Sequence, residues 1–313
     1  MKQQHAIAKH HDAEHSALRK KYYTASVIGA VAGVHPYVSQ LKLYMLKRGV
    51  EFPDDPDNPV FKRGRWFEPA VAAAVAEQRP DWTIEKCQMF YCDPQSLKGA
   101  SPDFLIHGDP RGPGVLQCKT CAPSVWERDW QRGAVVPEWI VLQTLTEAEC
   151  ADAAFAAIAV LKVDAFDPQC HIVEFGRHPA AEQRLTEQVA AFQRNVEAGI
   201  EPAPDFTRDA ELLKILSPRH EPGKVLDFSG NNELPVLLAK REDLRAEIEA
   251  REAVCEAIET ELKFLLGDAE TVTGLPGWNV TYKAAERKAY TVAAKMQRPL
   301  RIYDRRPESD RPF

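Results

Sequence analysis

The sequence predicts an α/β protein, with a compact core of about 200 residues followed by a helical extension. An apolar repeat of helical period covers residues 58–77, and short strand-like segments bounded by Pro, Gly or Asp follow between residues 82 and 119. After residue 199 the chain changes to a proline-punctuated stretch, and then to a repeat with alternating three- and four-residue spacing.

The elements of the core follow from hydrophobic period and turn signals. A polar helical stretch is expected up to about Lys21, and a short helix from Val27 to Ala32 is closed by Gly33. Strands are predicted at residues 82–91, 102–106, 114–119, 153–162 and 170–175, and helices at residues 58–77, 124–131, 138–148 and 180–198.

We expect three segments along the chain. Residues 1–200 form the core, and residues 201–232 form a linker, because four prolines interrupt a stretch without clear periodicity. Residues 233–313 form a helical, coiled-coil-like extension with a small β module: a strand at 278–283 and then a basic tail. The apolar positions of the extension are Leu237, Leu244, Ile248, Cys255, Ile258, Leu262 and Leu265, and Gly267 stops the helix.

Composition limits the class of protein but leaves its partner open. No apolar run approaches the ~20 residues that a membrane helix needs, and the N-terminus lacks the apolar centre of a signal peptide. The seven cysteines do not suggest a disulfide framework, so we expect a cytoplasmic protein without a membrane partner. A net charge of −6 argues against a protein that coats nucleic acid nonspecifically, but it allows an enzyme whose positive charge is concentrated in one channel.

The polar group with the clearest chemical meaning consists of Asp103, Gln117 and Lys119. Residues two apart in a strand point to the same face, so Gln117 and Lys119 emerge together, and the preceding strand delivers Asp103 beside them. Glu68 could complete the group from its helix. Oxygen ligands of this kind hold Mg²⁺, and a cation stabilises the charge that develops during phosphodiester hydrolysis. A buried Asp–Lys pair with a hydrogen-bonded Gln is the structural alternative.

Five short motifs strengthen the hydrolase interpretation. They are TAS at residues 24–26, GRWFE at 64–68, SPD at 101–103, QCK at 117–119 and PEWIVLQ at 137–143. Their order and spacing resemble those of the phage recombination exonucleases of the lambda exonuclease / YqaJ type, in the PD-(D/E)xK nuclease superfamily. The resemblance covers residues 19 to about 200, and it implies a restriction-endonuclease-like core with a mixed central sheet flanked by helices.

The resemblance implies a metal site. Asp103, Gln117 and the backbone carbonyl of Cys118 would bind Mg²⁺, with Mn²⁺ as the alternative metal, and Glu68 would act nearby, directly or through water. Gln117 departs from the family, which usually has glutamate there. The substitution removes a negative charge but leaves a carbonyl oxygen that can ligate, so we expect activity to be retained.

The resemblance also implies roles for residues around the metal. Lys119 would position and activate the attacking water, and Gln143 would orient the substrate or Lys119. Arg19 and Ser26 would hold a 5′ phosphate, although a capping serine beside a solvated basic run also explains this pair.

The function that follows is a metal-dependent DNA exonuclease acting 5′-to-3′ on linear duplex ends. It would leave 3′ single strands for a single-strand annealing protein in phage or prophage recombination, inside a bacterial host cell, and a ring-shaped homo-oligomer, such as a trimer, is implied by the resemblance. Two alternatives stay open. One is an endonuclease of the same superfamily, and the other is a weakly active or inactive DNA-binding or assembly protein, which Gln117 and the heptad repeat favour.

Overall fold

The computed structural model describes residues 2–6, 13–52, 58–216, 221–275, 277–286 and 302. The chain divides into two compact units, Met1–Arg219 and His220–Phe313. The helices described are α1 (Ala13–Lys21), α2 (Ala25–Val31), α3 (Gln40–Lys47), α4 (Pro59–Gln78), α5 (Pro123–Asp129), α6 (Glu138–Ala151), α7 (Pro179–Ala198), α8 (Ala210–Leu216) and α9 (Glu233–Leu266). The strands are β1 (Gln3–Ala6), β2 (Tyr23–Thr24), β3 (Thr83–Lys86), β4 (Met89–Asp93), β5 (Lys98–Ala100), β6 (Phe104–His107), β7 (Gly114–Cys121), β8 (Phe155–Lys162), β9 (Gln169–Gly176), β10 (Thr271–Val272) and β11 (Val280–Thr281).

The first unit is built on a five-stranded sheet with the order β3-β6-β7-β8-β9. Strands β7 and β8 are parallel, whereas the other neighbours are antiparallel. A parallel pair needs a crossover, and α5 and α6 lie in the connection between β7 and β8. The predicted α/β core with a mixed central sheet flanked by helices is therefore confirmed.

Helices α4 and α6 contact this sheet through different residues of β7. Val71 and Val75 of α4 belong to one buried cluster with Leu116. Ala148 of α6 belongs to another buried cluster with Val115. Because side chains alternate along a strand, the odd-numbered residues of β7 face α6, and this group includes Gln117 and Lys119.

A second sheet of four strands, with the order β1-β4-β5-β2, departs from the sequence prediction. The strand expected at residues 82–91 is two strands, since β3 pairs with β6 in the central sheet and β4 pairs with β1 and β5 in the second. The polar helix expected up to Lys21 begins only at Ala13, and residues 3–6 form β1. Residues 7–12 lie outside the described residues. Hydrophobic period does not reveal which strand a segment pairs with, and this explains both differences.

Two helices of the first unit were not predicted. Helix α3 follows the turn at Gly33, whose φ of 79° favours glycine. Helix α8 lies inside the segment expected to be a linker, where Leu212 is buried. Ser39, at the start of α3, donates a 2.5 Å hydrogen bond to the buried Asp209, just before α8. The chain from Asp209 to Leu216 therefore packs within the first unit.

The second unit contains the long helix α9, which confirms the C-terminal helix that the sequence predicts. None of its side chains is buried, and it ends at Gly267 as expected. Strands β10 and β11 form an antiparallel pair, so the strand expected at 278–283 is shortened to Val280–Thr281. Most of the basic tail lies outside the described residues. In the part of the chain that the structure describes, no helix is long and apolar enough to span a membrane.

Candidate active site

Strand register brings Asp103 to Gln117. Phe104, the first residue of β6, pairs with Leu116 of β7, so Asp103 precedes β6 beside Gln117. The Gln117 Nε2 donates a 2.5 Å hydrogen bond to the Asp103 Oδ2. The same carboxylate oxygen accepts a 2.8 Å hydrogen bond from the backbone N–H of Cys118. Hydrogen bonds thus join Asp103 to β7, as the sequence predicts, at the edge of the sheet face that packs against α6.

A directed series of hydrogen bonds connects Lys119 to Asp103. The Lys119 Nζ donates to the Gln143 Oε1 at 3.1 Å, and the Gln143 Nε2 donates to the Gln117 Oε1 at 2.8 Å. Gln117 in turn donates to Asp103. A lysine ammonium can only donate and a carboxylate can only accept, so the two ends fix the orientation of both amides. The amide nitrogen of Gln117, and not its oxygen, therefore faces Asp103.

Glu147 is a functional candidate that the sequence analysis missed. It lies one helical turn after Gln143 on α6, and its Oε1 accepts a 2.9 Å hydrogen bond from the Gln143 Nε2. Its side chain is 1 % exposed, and its Oε2 has no hydrogen-bond partner among the described residues. Burial, and then the negative charge of Asp103, raise the pKa of Glu147 well above its ordinary value. The i, i+4 spacing of Gln143 and Glu147 was the available signal.

Several of these groups line one cavity of about 180 Å³. Asp103, Gln143 and Glu147 line it together with Arg19 of α1 and Ser26 of α2. The two residues predicted to bind a 5′ phosphate thus share this cavity with Asp103 and Gln143, whereas Gln117 and Lys119 are not among its described lining residues. Ser26 Oγ lies 3.0 Å from the Thr24 Oγ1, with which it shares a hydrogen bond.

Glu68 is placed differently. It lies on α4, and its carboxylate pairs with the Lys86 Nζ. Glu68 is not among the described residues that line the cavity. Within the described ranges, no three His, Cys, Asp or Glu side chains are close enough together to hold a metal ion. The role of Glu68 as a ligand stays a prediction.

The oxygen atoms at the cavity fit a hard divalent cation. Two carboxylates, those of Asp103 and Glu147, line it, and a buried oxygen of Glu147 has no partner in the described part of the chain. Carboxylate and carbonyl oxygens are the ligands that Mg²⁺ prefers. Gln117 fits less well as a ligand, because its oxygen is occupied by Gln143 and its nitrogen faces Asp103.

The segment that carries this geometry matches one protein family. Residues 14–154 match the family model described as a YqaJ-like viral recombinase domain. This segment is a YqaJ-like viral recombinase domain. It contains all the predicted site residues, namely Arg19, Ser26, Glu68, Asp103, Gln117, Cys118, Lys119 and Gln143, and it also contains Glu147.

Solved structures that are similar to this chain include three exonuclease structures. The alkaline exonuclease LHK-Exo from Laribacter hongkongensis is 21 % identical, with 63 % of this chain and 97 % of that chain covered and a TM-score of 0.45. Its complex with dAMP is 21 % identical, with 65 % and 96 % covered and a TM-score of 0.46. A phage-related exonuclease from Haemophilus somnus 129PT is 11 % identical, with 57 % and 95 % covered and a TM-score of 0.45. No curated protein matches the chain.

Aromatic and histidine side chains support Lys119 in the YqaJ-like domain. The Lys119 Nζ lies 5.3 Å from the ring centroid of Trp139, close enough for a cation–π interaction. On the other side, Trp139 contacts the ring of His35, at 5.2 Å between centroids. The His35 Nδ1 accepts hydrogen bonds from the backbone N–H groups of Tyr37 and Val38. Burial, opposed by a backbone hydrogen bond and reinforced by nearby cations, lowers the pKa of His35 to about 4.

Lys47, the last residue of α3, forms hydrogen bonds near the C-terminal end of α1, the helix that contains Arg19. Its Nζ donates hydrogen bonds to the backbone carbonyls of Lys20 at 2.9 Å and Tyr22 at 2.7 Å. A cation at the C-terminal end of a helix binds carbonyls that lack partners within the helix. Burial, and then the charge of Arg19, lower the pKa of Lys47 to about 8. Helix α3 was not predicted, so sequence reasoning missed this support of the Arg19 position.

Proposed function

We propose that the YqaJ-like domain is a metal-dependent DNA exonuclease that acts on linear duplex ends. The observation that carries the proposal is the hydrogen-bonded series from Lys119 through Gln143 and Gln117 to Asp103, at a cavity that Arg19 also lines. The series links a lysine ammonium to a carboxylate that lines this cavity, and phosphodiester hydrolysis uses both kinds of group. The match to a viral recombinase family supports DNA as the substrate.

The proposed cofactor is Mg²⁺, with Mn²⁺ as the alternative. When bound, such an ion polarises the phosphate and lowers the pKa of a water molecule. Asp103 would hold it, together with the backbone carbonyl of Cys118, and Glu68 is the further predicted ligand. Gln117 would contribute less to binding than the sequence suggested, because its amide nitrogen donates to Asp103.

Lys119 provides the positive charge for the reaction. Gln143 and Trp139 both contact its ammonium group, so little reorganisation is needed when negative charge develops on the phosphate or on the attacking oxygen. Gln143 is therefore proposed to position Lys119, and the link through Gln117 keeps this ammonium in a fixed relation to Asp103.

The proposed direction of degradation depends on Arg19 and Ser26. A guanidinium group binds a phosphate through two parallel hydrogen bonds, and a serine hydroxyl can add a third. Both residues line the cavity that contains Asp103, so a terminal 5′ phosphate held there would present the adjoining nucleotide to the reacting groups. Removal of nucleotides from that end leaves a 3′ single strand, which an annealing protein of the bacterial host cytoplasm or of the phage could use.

Linear duplexes labelled at either the 5′ or the 3′ terminus test this function against its rivals. The full-length protein with Mg²⁺ should release the 5′ label first, as mononucleotide, and leave covalently closed circular duplex intact. Cleavage of the closed circle at a similar rate would establish an endonuclease. Retention of both labels, with DNA still bound, would establish a noncatalytic binding protein.

We further propose that α9 mediates homo-oligomer formation. Its apolar residues recur at heptad-like spacing and stay exposed within this unit, with Leu244 at 49 % and Ile248 at 55 %. Replacing both by Lys should lower the mass measured by light scattering, whereas Glu249→Lys, on a polar position of the same helix, should not. A loss of binding to an annealing protein, with the mass unchanged, would assign the helix to that partner instead.

A further inference from the structure

In the candidate metal site, β7 and the segment before β6 contribute one carboxylate. It belongs to Asp103, and the β7 residue hydrogen-bonded to it is the neutral Gln117. The Gln117 oxygen is occupied by Gln143, and reversing the amide would direct two N–H donors at each other. A second carboxylate for a divalent cation here would come from another element, and Glu68, which pairs with Lys86, is not among the described residues that line the cavity.

Helix α6 provides a carboxylate close to Gln117, that of Glu147. The Gln143 Nε2 donates to the Gln117 Oε1 at 2.8 Å and to the Glu147 Oε1 at 2.9 Å. The two side chains thus meet at a single nitrogen atom, one reaching it from β7 and the other from α6. Glu147 also lines the cavity that Asp103 lines.

Two buried oxygen atoms beside this cavity have no hydrogen-bond partner among the described residues. They are the Glu147 Oε2 and the Ser101 Oγ, and both residues line the cavity. Buried polar atoms in folded proteins are nearly always paired, so two orphaned oxygens on residues that line one cavity favour a bound ion, ligand or water there. Oxygen atoms without a donor, one of them on a carboxylate, are suited to a hard cation.

A purely structural role does not explain Glu147. Lys119 and Gln117 already fix the orientation of the Gln143 amide, so Glu147 is not needed for that purpose. A carboxylate in a helix interior that is 1 % exposed is costly unless its charge is compensated. No described basic side chain forms an ion pair with Glu147; the nearby lysine, Lys119, donates to Gln143 instead.

We propose that Glu147 is a relocated metal ligand: it supplies from α6 the carboxylate that Gln117 does not supply from β7. The inference rests on the proposed metal-dependent function. The cation would lie between Asp103 and Glu147, and Gln117 would act as a hydrogen-bonded spacer that holds Asp103 in place.

Calorimetric titration of Mn²⁺ into the full-length protein tests this ligand without relying on activity. Glu147→Gln preserves the shape of the side chain and its ability to accept from Gln143, and it should weaken Mn²⁺ binding by at least about tenfold. Glu138→Gln is the matched control, because Glu138 is an exposed acidic residue on the same helix. It should bind Mn²⁺ like the unmodified protein.

The double variant Gln117→Glu, Glu147→Gln separates ligation from structural support. Placing the carboxylate at position 117 on β7 instead of at position 147 should restore Mn²⁺ affinity to within a few-fold of the unmodified protein. Glu147→Gln with unchanged affinity, or a double variant that is not rescued, would overturn the inference while leaving the nuclease function in place. Absence of Mn²⁺ binding by the unmodified protein would overturn both, so the two failures are distinguishable.

Discussion

The Gln117 Nε2 donates a 2.5 Å hydrogen bond to the Asp103 Oδ2, so a neutral amide joins β7 to the residue that precedes β6. The amide stabilises the metal-free fold, because it donates to a charged acceptor. It also prevents the repulsion that two adjacent carboxylates would produce there.

Gln117→Glu should therefore destabilise the metal-free protein and increase its dependence on metal. Loss of the hydrogen bond to a charged group should lower the free energy of unfolding by about 1–3 kcal/mol in EDTA. Added Mg²⁺ should reverse most of this loss and support cleavage at lower concentrations than in the unmodified protein. Thermal unfolding with and without Mg²⁺ measures the effect. An unchanged Mg²⁺ titration would show that no ion lies near residue 117.

Lys119→Ala should separate DNA binding from cleavage. Its ammonium is held by Gln143 and Trp139 and is proposed to act on developing charge, so its removal should slow cleavage by at least ~10²-fold. DNA affinity, measured by fluorescence anisotropy, should stay nearly unchanged. Lys162→Ala, at the end of β8, is the control for loss of one positive charge. Cleavage by Lys119→Ala within a few-fold of the unmodified rate would reject the assignment.

Arg19→Ala should remove a preference for 5′-phosphorylated ends. The unmodified protein should degrade duplex with a 5′ phosphate faster than duplex with a 5′ hydroxyl, because Arg19 lines the cavity beside Asp103. The variant should degrade both at similar rates, whereas Lys20→Ala, which changes the exposed neighbour, should keep the preference. Equal rates on both substrates with the unmodified protein would disprove the phosphate site and leave the nuclease assignment intact.

His35 should make stability depend on pH. Because burial lowers its pKa to about 4, the unfolded chain binds a proton more readily than the folded protein. Stability from this group is present above the unfolded pKa of about 6.5 and is lost as the pH falls toward 4, with an upper limit on the order of 2–3 kcal/mol.

Denaturant unfolding at several pH values between 7 and 4 measures this loss. In His35→Asn, a side-chain oxygen can still accept from the Tyr37 and Val38 N–H groups, so the variant should lose less stability over this range. His107→Asn, at an exposed position, should retain the full loss. Parallel pH profiles for the unmodified protein and His35→Asn would contradict the role of His35.

Local patterns explain why much of the site could be predicted from the sequence. The two-residue period of β7 correctly placed Gln117 and Lys119 on one face, since both contact Gln143. Helices α4 and α6 also begin and end close to the predicted residues: Asn58 caps α4 by accepting from the Val60 N–H, and α6 begins directly after Pro137. The strand predicted before β7 correctly placed Asp103 beside Gln117.

The features that were missed depend on tertiary contacts. A glutamate within a helix is usually exposed, so Glu147 became a candidate only when the sheet on its inner side was known. The break between β3 and β4 reflects a change of pairing partner, and α8 packs because Asp209 meets Ser39 from a distant part of the chain. Apart from the i, i+4 spacing of Gln143 and Glu147, none of these features has a local signature in the sequence.

Release of nucleotides from linear duplex DNA is the most direct test of the central claim. The full-length protein with Mg²⁺ should convert the duplex to acid-soluble nucleotides. The same protein in EDTA, and Asp103→Asn in Mg²⁺, should release at least ~10²-fold less, because the carboxylate that accepts from Gln117 and Cys118 is the proposed metal ligand of the first unit. Release at the unmodified rate in EDTA, or by Asp103→Asn, would contradict a metal-dependent nuclease centred on Asp103.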